Sequence, residues 1–377
     1  MIQKLSLSNF KVLRQTGHVR LGRFTLLAGV NGRGKSSFFQ SLLLLAQTVR
    51  ESSPNNLLVS GKWVRLGGFK DVVNCYCDDE KITIHFTTDA EKENDYELVY
   101  CASSEKPSMG QLVSFKVDGV ERFAESSTFG KNDSDTETRK TAGSFSDLKG
   151  IQELRQIFYI SADRMAAPAF ETIQDNYSDN VLEAKGENVL NVIGRLNETQ
   201  MTKVKDVLND VFDGATIEVK RNDDTGQMEL YLDSIPFGRK FRPFNVGYGY
   251  SYVLSIIVAG IIAPENSVIL IENPEAHLHP YAQSRLMHFL FHDVLAKRGV
   301  QILLETHSDH VVNSMLLEVK AGFPVKDVST LFFQYKDDVE AGAEILNLEM
   351  EQGGAILDPP DNFCQQYALD LEKLMGV

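Results

Sequence analysis

Residues 29–36 read GVNGRGKS and fit the pattern GxxxxGK[ST]. The preceding stretch, VRLGRFTLLA at 19–28, ends in an apolar run that predicts a buried strand. The following stretch, 36–50, is long and apolar, which predicts a buried helix. A strand, a glycine-rich turn and a helix in this order are the context that a phosphate-binding loop requires. The flanks therefore favour such a loop over a simple turn before a core helix.

The loop residues match the chemistry of a nucleoside triphosphate. Glycines allow backbone N–H groups to surround a phosphate, and the N-terminus of the following helix adds about half a positive charge. Lys35 would contact the β- and γ-phosphates, and the Ser36 hydroxyl would bind Mg²⁺. Unit charges about 4 Å apart interact by roughly 4 kcal/mol at an effective dielectric of about 20, so Lys35 is expected to dominate affinity.

A second candidate is Glu272, which ends the apolar stretch VILIE at 268–272. A carboxylate after a buried strand occupies the position of the Walker B acid, which holds magnesium in P-loop ATPases. Acidic residues are also common at the carboxyl edge of a sheet. The loop at 29–36 favours the functional interpretation, and Glu272 is predicted to be the magnesium acid.

Two further segments follow the same pattern of a strand or turn beside a helix. Glu305 and His307 come directly after the apolar stretch 300–304, so His307 would lie at a strand end and sense a γ-phosphate. The alternative is a strand-end histidine hydrogen-bonded in the core. NVGYGYS at 245–251 precedes a predicted helix at 252–263, and such a start either binds an anion or forms a tight turn.

The composition predicts a soluble protein. There are 38 Lys and Arg against 52 Asp and Glu, which gives a net charge of −14, and 43% of the residues are hydrophobic. The longest apolar stretch, 253–263, is too short to span a bilayer, and the N-terminus does not resemble a secretory signal. We therefore expect a cytoplasmic chain without membrane contact. The four cysteines form no CxxC pair and are expected to be reduced. Any nucleic-acid contact would be limited to a local basic groove.

The order of predicted elements indicates an α/β fold with a mainly parallel sheet flanked by helices, plus an antiparallel β lobe and a helical lobe. A nucleotide-binding core is expected in two parts, an N-terminal part at 1–50 and a C-terminal part at 240–350. Between them we expect a β lobe at 51–150, with a mobile loop at about 121–148, and a helical lobe with a β-hairpin at 151–239. A tail follows at 351–377.

With these motifs in this order, the sequence resembles an ABC-type ATPase head of the SMC, RecF and OLD kind. More narrowly, it resembles a prokaryotic family of stand-alone OLD-related ATPases. The resemblance covers most of the chain and rests on FxxLAGVNGRGKSS (24–37), LGGFKDVVN (66–74), ISADRMAAP (160–168), NVGYGYSYVL (245–254), IENPEAHLHP (271–280) and ETHSDH (305–310). It implies a P-loop NTPase fold with ATP and Mg²⁺ as ligands.

The resemblance also implies roles for the residues that match the motifs. The residues expected to bind nucleotide are Gly29, Asn31, Gly32, Gly34, Lys35, Ser36 and Ser37. Ser36 and Glu272 would hold Mg²⁺. Arg33, inside the loop, would either contact phosphate or point to solvent.

In such heads the turn before the apolar helix is the signature motif, which contacts the nucleotide of a second subunit. Carried over to this chain, Gly247, Gly249 and Ser251 would act in trans, and His307 would be the switch histidine. The resemblance thus implies a head-to-tail homodimer, or a higher oligomer, with two ATPs between the loop of one subunit and the signature of the other.

One departure changes the expected chemistry. ABC heads usually place a catalytic glutamate directly after the Walker B acid, whereas this chain has Asn273. An amide does not accept a proton from an attacking water, so hydrolysis would use another base or be slow. Glu275 is the nearest alternative, with Glu305 and His307 behind it. The expected catalytic residues are Lys35, Glu272, Glu275 and His307.

These features favour a switch in which ATP closes a long-lived dimer and slow hydrolysis resets it. The resemblance implies prokaryotic anti-phage defence or genome maintenance, with a separately encoded effector such as a nuclease or toxin. The alternative is a repair ATPase of the RecF or SMC kind that binds DNA, which the acidic charge disfavours. The absence of an LSGGQ-like sequence disfavours a transporter subunit, and the absence of NKxD disfavours a GTPase.

Six of the eight histidines fall between residues 277 and 310. His288 and His292 are four residues apart and would lie on one helix face, as two zinc ligands do. No third ligand at a suitable spacing is evident in the sequence. Solvent-exposed or turn-capping histidines are therefore the favoured interpretation.

Overall fold

The computed structural model describes most of the chain. The described residues are 1–51, 54–92, 94–104, 106–124, 148–175, 181–233, 239–335, 342–360, 363–364 and 366–375. The chain divides into two units, which are unit 1 (Met1–Gly22, Gly29–Ile157 and Leu331–Asn347) and unit 2 (Arg23–Ala28, Phe158–Thr330 and Leu348–Val377). Most of the mobile loop expected at 121–148 lies outside the described residues.

Unit 1 contains an eight-stranded sheet whose strand pairs are antiparallel. Its strands are β1 (Ile2–Phe10), β2 (Leu13–Gln15), β3 (Val19–Arg20), β5 (Asn56–Leu58), β6 (Ile82–Thr88), β7 (Asp95–Ala102), β8 (Met109–Val117) and β9 (Val120–Ala124). The order is β2-β1-β6-β7-β8-β5, with β3 beside β1 and β9 beside β8. Alternate residues of β6 are buried, as expected when one face of a sheet covers a core. Because β1 belongs to this sheet, the boundary expected at residue 50 does not coincide with the edge of the β lobe.

Two helices of unit 1 are α1 (Lys35–Glu51) and α2 (Lys149–Arg155). α1 is buried on nearly all sides, which matches its long apolar run. The helix predicted at 36–50 is therefore confirmed.

A six-stranded sheet carries the strand ends from which the candidate motifs start. Its strands are β4 (Phe24–Gly29), β10 (Ile157–Ile160), β14 (Val268–Glu272), β15 (Gln301–Glu305), β16 (Val328–Tyr335) and β17 (Ala343–Leu348), in the order β10-β14-β15-β4-β16-β17. The pairs β14–β15 and β15–β4 are parallel. Every residue of β14 and β15 is buried, as in a parallel sheet covered on both faces. The buried strand predicted at the apolar end of 19–28 is confirmed as β4, and Val19–Arg20 form the separate strand β3, because β3 pairs with β1 whereas β4 pairs with β15.

Unit 2 contains helices and a small antiparallel sheet. The helices are α3 (Val189–Ile193), α4 (Glu198–Phe212), α5 (Tyr248–Ile262), α6 (Pro280–Phe289), α7 (Asp309–Lys320) and α8 (Gln366–Met375). The sheet has the order β11-β13-β12 and consists of β11 (Phe170–Thr172), β12 (Thr216–Asn222) and β13 (Gln227–Asp233). The β-hairpin predicted after α4 is confirmed by the antiparallel pairing of β12 with β13.

Two helices differ from the sequence prediction. α5 begins at Tyr248 and not at residue 252, because Gly247 serves as its N-cap in an extended conformation. The helix predicted at 281–297 consists of α6 followed by a π-helical segment, Leu290–Ala296. Among the described residues, no helix combines the length and the apolar character needed to cross a bilayer.

Candidate functional site

The loop between β4 and α1 has a backbone that only glycine adopts readily. Gly29, Gly32 and Gly34 have φ angles of +132°, +75° and +102°, a region that residues with a side chain rarely adopt. A Cβ on Gly29 would lie 2.4 Å from the carbonyl oxygen of Phe333. These positions therefore favour glycine.

Lys35 lies against this loop. Its side chain is buried, and its Nζ donates to the carbonyl oxygens of Gly29 at 2.8 Å and Val30 at 3.0 Å. Buried ammonium groups need such partners. Ser36 is exposed in the first turn of α1, whereas Ser37 is buried. The loop thus places an ammonium, a hydroxyl and the positive end of α1 in one short segment.

Arg33 packs against a residue that the sequence did not single out. Its guanidinium carbon lies 4.2 Å from the ring centroid of Tyr335, a cation–π geometry. The Tyr335 hydroxyl donates to the carbonyl oxygen of Gly32 at 3.1 Å. Asn31 is exposed at the tip of the loop. Tyr335 thus supports the loop from β16.

Glu272 ends β14 and is buried. Its Oε2 accepts hydrogen bonds from the Tyr159 hydroxyl and the Ala162 backbone N–H, both at 3.0 Å. Burial raises the pKa of the Glu272 carboxyl, and these two hydrogen bonds oppose that increase. Glu272 pairs with Glu305 on β15, and Glu305 pairs with Leu27 on β4. The carboxyl ends of these three parallel strands therefore lie at one edge of the sheet.

Arg164 holds the turn that follows Glu272. This side chain is only 2% exposed, and its guanidinium donates to the carbonyl oxygens of Glu272 and Asn273, both at 2.8 Å. Burial lowers the pKa of Arg164 to about 10. Arg164 belongs to the segment 160–168, which contributed to the family resemblance but suggested no role for this side chain. The structure assigns it a positioning role.

Asn273 and Glu275 occupy well-defined positions in the same turn. Asn273 has a positive φ of 45°, which asparagine tolerates, and its buried Oδ1 has no hydrogen-bond partner among the described residues. The two oxygens of Glu275 accept hydrogen bonds from the Thr306 hydroxyl and the His307 backbone N–H, both at 2.8 Å. Glu275 thus positions the segment that carries His307, and the His307 residue itself is exposed.

The glycine-rich turn at 247–251 starts α5. A Cβ on Gly249 would lie 2.6 Å from the carbonyl oxygen of His277, so this position requires glycine, whereas Gly247 has more space. Ser251 is buried, and its carbonyl oxygen accepts from the Ala167 N–H at 3.3 Å. Tyr248 is 68% exposed. The accessible part of this segment is therefore its N-terminal end.

The predicted site residues fall into two groups. Gly29 to Ser37 belong to unit 1. Glu272, Glu275, His307 and the turn at 247–251 belong to unit 2, where Glu275 contacts the His307 segment and Gly249 packs against the turn after Glu272.

A protein-family model described as "AAA domain, putative AbiEii toxin, Type IV TA system" matches residues 24–313. This match covers more than half of the chain. The chain belongs to this AAA-domain family. No curated protein sequence matches the chain at a significant level.

The fold of this AAA-domain chain is similar to that of solved SMC heads. The SMC head bound to the C-winged helix domain of ScpA has a TM-score of 0.58 at 13% identity, over 93% of this chain and 98% of that chain. The SMC head with an extended coiled coil, bound to the C-terminal domain of ScpA derived from Pyrococcus furiosus, has a TM-score of 0.50 at 11% identity, over 100% and 99%. The predicted P-loop NTPase fold of the ABC-ATPase head type is confirmed.

Proposed function

We propose that this chain binds ATP and Mg²⁺, forms a head-to-tail homodimer when ATP is bound, hydrolyses ATP slowly and regulates a separately encoded effector. The observation that carries the proposal is the loop at 29–36, with three glycines at positive φ and a lysine directed at the loop carbonyls.

The loop fits a triphosphate. Its glycines keep side chains away from the backbone N–H groups. The Lys35 ammonium, which donates to loop carbonyls, would donate to phosphate oxygens instead when a nucleotide binds. Ser36, exposed in the first turn of α1, offers its hydroxyl to Mg²⁺. The preference for adenine rests on the resemblance to ABC-type heads.

Glu272 fits the role of the magnesium acid. A buried carboxylate at the end of a parallel strand is disfavoured by desolvation, and a nearby cation would stabilise its charged form. Magnesium, when bound, neutralises charge on the β- and γ-phosphates. Tyr159 and Ala162 hold the carboxylate in one orientation through their hydrogen bonds.

The start of α5 supports dimerisation. Gly247 is exposed, and the neighbouring aromatic side chains of Phe244 and Tyr248 are 70% and 68% exposed. Large exposed aromatic side chains beside a helix N-terminus suit an interface that also contacts an anion. Because each site would use residues of two subunits, ATP binding and dimerisation would be thermodynamically linked.

The turn after Glu272 supports slow hydrolysis. Asn273 offers an amide where the catalytic glutamate of related heads lies, and an amide is not a general base. Glu275 would have to give up its hydrogen bonds to Thr306 and His307 before it accepted a proton from water. Slow hydrolysis would make the ATP-bound dimer long-lived, and a long-lived dimer suits a regulatory switch better than a motor.

Two findings support a regulatory setting. The family description names a putative AbiEii toxin of a type IV TA system, which agrees with a role in prokaryotic defence. The similar SMC heads are bound to ScpA domains, which agrees with a protein partner for this chain. The net charge of −14 disfavours the alternative of a DNA-binding repair ATPase.

Light scattering with and without Mg-ATP, alongside phosphate release, tests this proposal. The native protein is expected to double its mass with ATP and to release phosphate slowly, and Lys35→Ala is expected to do neither. A protein that stays monomeric with Mg-ATP and turns over on the order of tens per second would contradict the proposal.

A further inference from the structure

Three side chains of unit 2 converge on one point of the surface. The Nδ1 atom of His288, on α6, lies 2.9 Å from Oε1 of Glu318 on α7. The Nε2 atom of His292, in the π-helical segment, lies 2.8 Å from Oε2 of the same carboxylate. The two imidazole centroids are 4.0 Å apart. We call His288, His292 and Glu318 the His–Glu cluster.

The position of Glu318 explains why the sequence alone did not indicate a complete set of metal ligands. The spacing of His288 and His292 places both on one helix face. Glu318 lies 26 residues after His292, on a different helix, so no local spacing connects them. The helix changes from α to π between the two histidines, at Leu290, and such changes frequently occur at functional sites.

The donor atoms of the cluster match a transition metal. Two imidazole nitrogens and one carboxylate are ligands that Zn²⁺ favours, whereas Mg²⁺ and Ca²⁺ favour oxygen alone. One ligand atom from each residue lies within 4.8 Å of the other two. In a tetrahedral zinc site with bonds of about 2.0–2.1 Å, the ligand atoms lie about 3.3 Å apart. Small side-chain movements would therefore bring the three atoms into coordination.

The cluster is also accessible to an ion. The side chains of His288 and His292 are 46% and 50% exposed, while Glu318 is 14% exposed. We propose that His288, His292 and Glu318 bind a divalent transition metal ion, with Zn²⁺ as the best fit, and that the ion links α6 and its π-helical extension to α7. Three protein ligands leave one coordination position for water.

This site is separate from the proposed magnesium site and does not depend on it. Its members belong to α6, the π-helical segment and α7, and α7 begins two residues after His307. A bound ion would cross-link the helix after the Glu272 turn to the helix after His307. Because the ion would bind the folded chain only, it would raise the stability of unit 2.

The competing interpretation is a hydrogen-bonded clamp, in which the Glu318 carboxylate accepts from both imidazoles and no metal binds. Titration of the chelator-treated full-length protein with Zn²⁺, in competition with a chromophoric chelator, separates the two interpretations. The native protein is expected to bind one equivalent of Zn²⁺ that the double variant His288→Ala/His292→Ala binds at least about 100-fold more weakly. Glu318→Gln, which keeps the shape of the side chain, is expected to weaken binding at least about tenfold.

His310→Ala is the matched control, because it removes an exposed histidine from the same helix as Glu318. It should retain the native affinity, and Zn²⁺ should raise the thermal unfolding midpoint of the native protein and of this control but not of the double variant. Circular dichroism checks that each variant is folded. The proposal would be overturned if the folded double variant bound zinc with native affinity, since zinc would then bind elsewhere, for example at Cys75 and Cys77. A native protein that binds no zinc would overturn it as well.

Discussion

The loop at 29–36 and the turn at 272–275 both contact charged ligands in the proposed function, but different interactions hold them. In the loop, glycine torsions and two hydrogen bonds from Lys35 to carbonyls five and six residues earlier fix the backbone. In the turn, Glu272 accepts hydrogen bonds from residues 113 and 110 positions earlier. The loop is therefore held largely by interactions within its own segment, together with the distant contact of Tyr335, whereas the turn is held by residues far away in the chain. Substitutions in the two regions should separate ligand binding from folding.

The largest effect on folding is expected for Arg164→Ala. The substitution removes a buried guanidinium that donates to the carbonyl oxygens of Glu272 and Asn273 and fills the space beside the turn. The free energy of unfolding should fall by about 3 kcal/mol or more, measured by urea titration. Arg221→Ala, which removes an exposed arginine paired with two aspartates, should change it little. Equal losses in the two variants would show that the turn does not depend on Arg164.

The second largest effect is expected on ATP binding, for a substitution of Lys35. Lys35→Ala should weaken ATP binding by about 100-fold, or about 3 kcal/mol, in isothermal titration calorimetry. Its free energy of unfolding should change by less than about 1 kcal/mol, because the carbonyl of Val30, a half-exposed residue, can bond to water instead.

Arg33→Ala is the control in the same loop. The Arg33 guanidinium packs on Tyr335, so its removal should weaken ATP binding less than about tenfold. A loss equal to that of Lys35→Ala would place Arg33 among the main phosphate ligands.

Glu275→Gln should have an intermediate effect on folding. The amide replaces one acceptor oxygen with a donor group, so either the Thr306 hydroxyl or the His307 N–H loses its acceptor. The free energy of unfolding should fall by about 1–2 kcal/mol. Glu265→Gln, an exposed position before β14, should leave it unchanged. A Glu275→Gln variant that keeps native stability but loses phosphate release would indicate a general base and not a positioning residue.

The smallest effect on folding is expected for Glu272→Gln. Burial raises the pKa of this carboxyl because desolvation disfavours its charged form, and the oxygen of a glutamine amide can still accept from Tyr159 and Ala162. The thermal midpoint should be equal to the native value or higher, while the magnesium dependence of ATP binding is lost. A large drop in the midpoint would mean that the charge itself stabilises the fold.

The sequence predicted what depends on local chemistry. The glycines, Lys35 and the flanking strand and helix follow from spacing, and Glu272 follows from its position after an apolar strand. The contacts of Tyr159, Arg164 and Tyr335 were not predicted, because each joins residues more than 100 positions apart and no local pattern records such contacts. Glu318 was missed for a similar reason.

The central claim, that each ATP is bound between the loop of one subunit and the signature of another, is tested most directly by mixing two variants. Lys35→Ala disables the loop. Gly247→Asp places a carboxylate at the exposed N-cap of α5, where a Cβ has space and aspartate is a favourable cap, but where it would repel a triphosphate.

Each variant alone should release no phosphate from ATP. An equimolar mixture should recover about a quarter of the native rate, if subunits mix at random, because each heterodimer contains one site with an intact Lys35 and an intact Gly247. A mixture no more active than its separate components, although light scattering shows that the subunits mix, would contradict the claim.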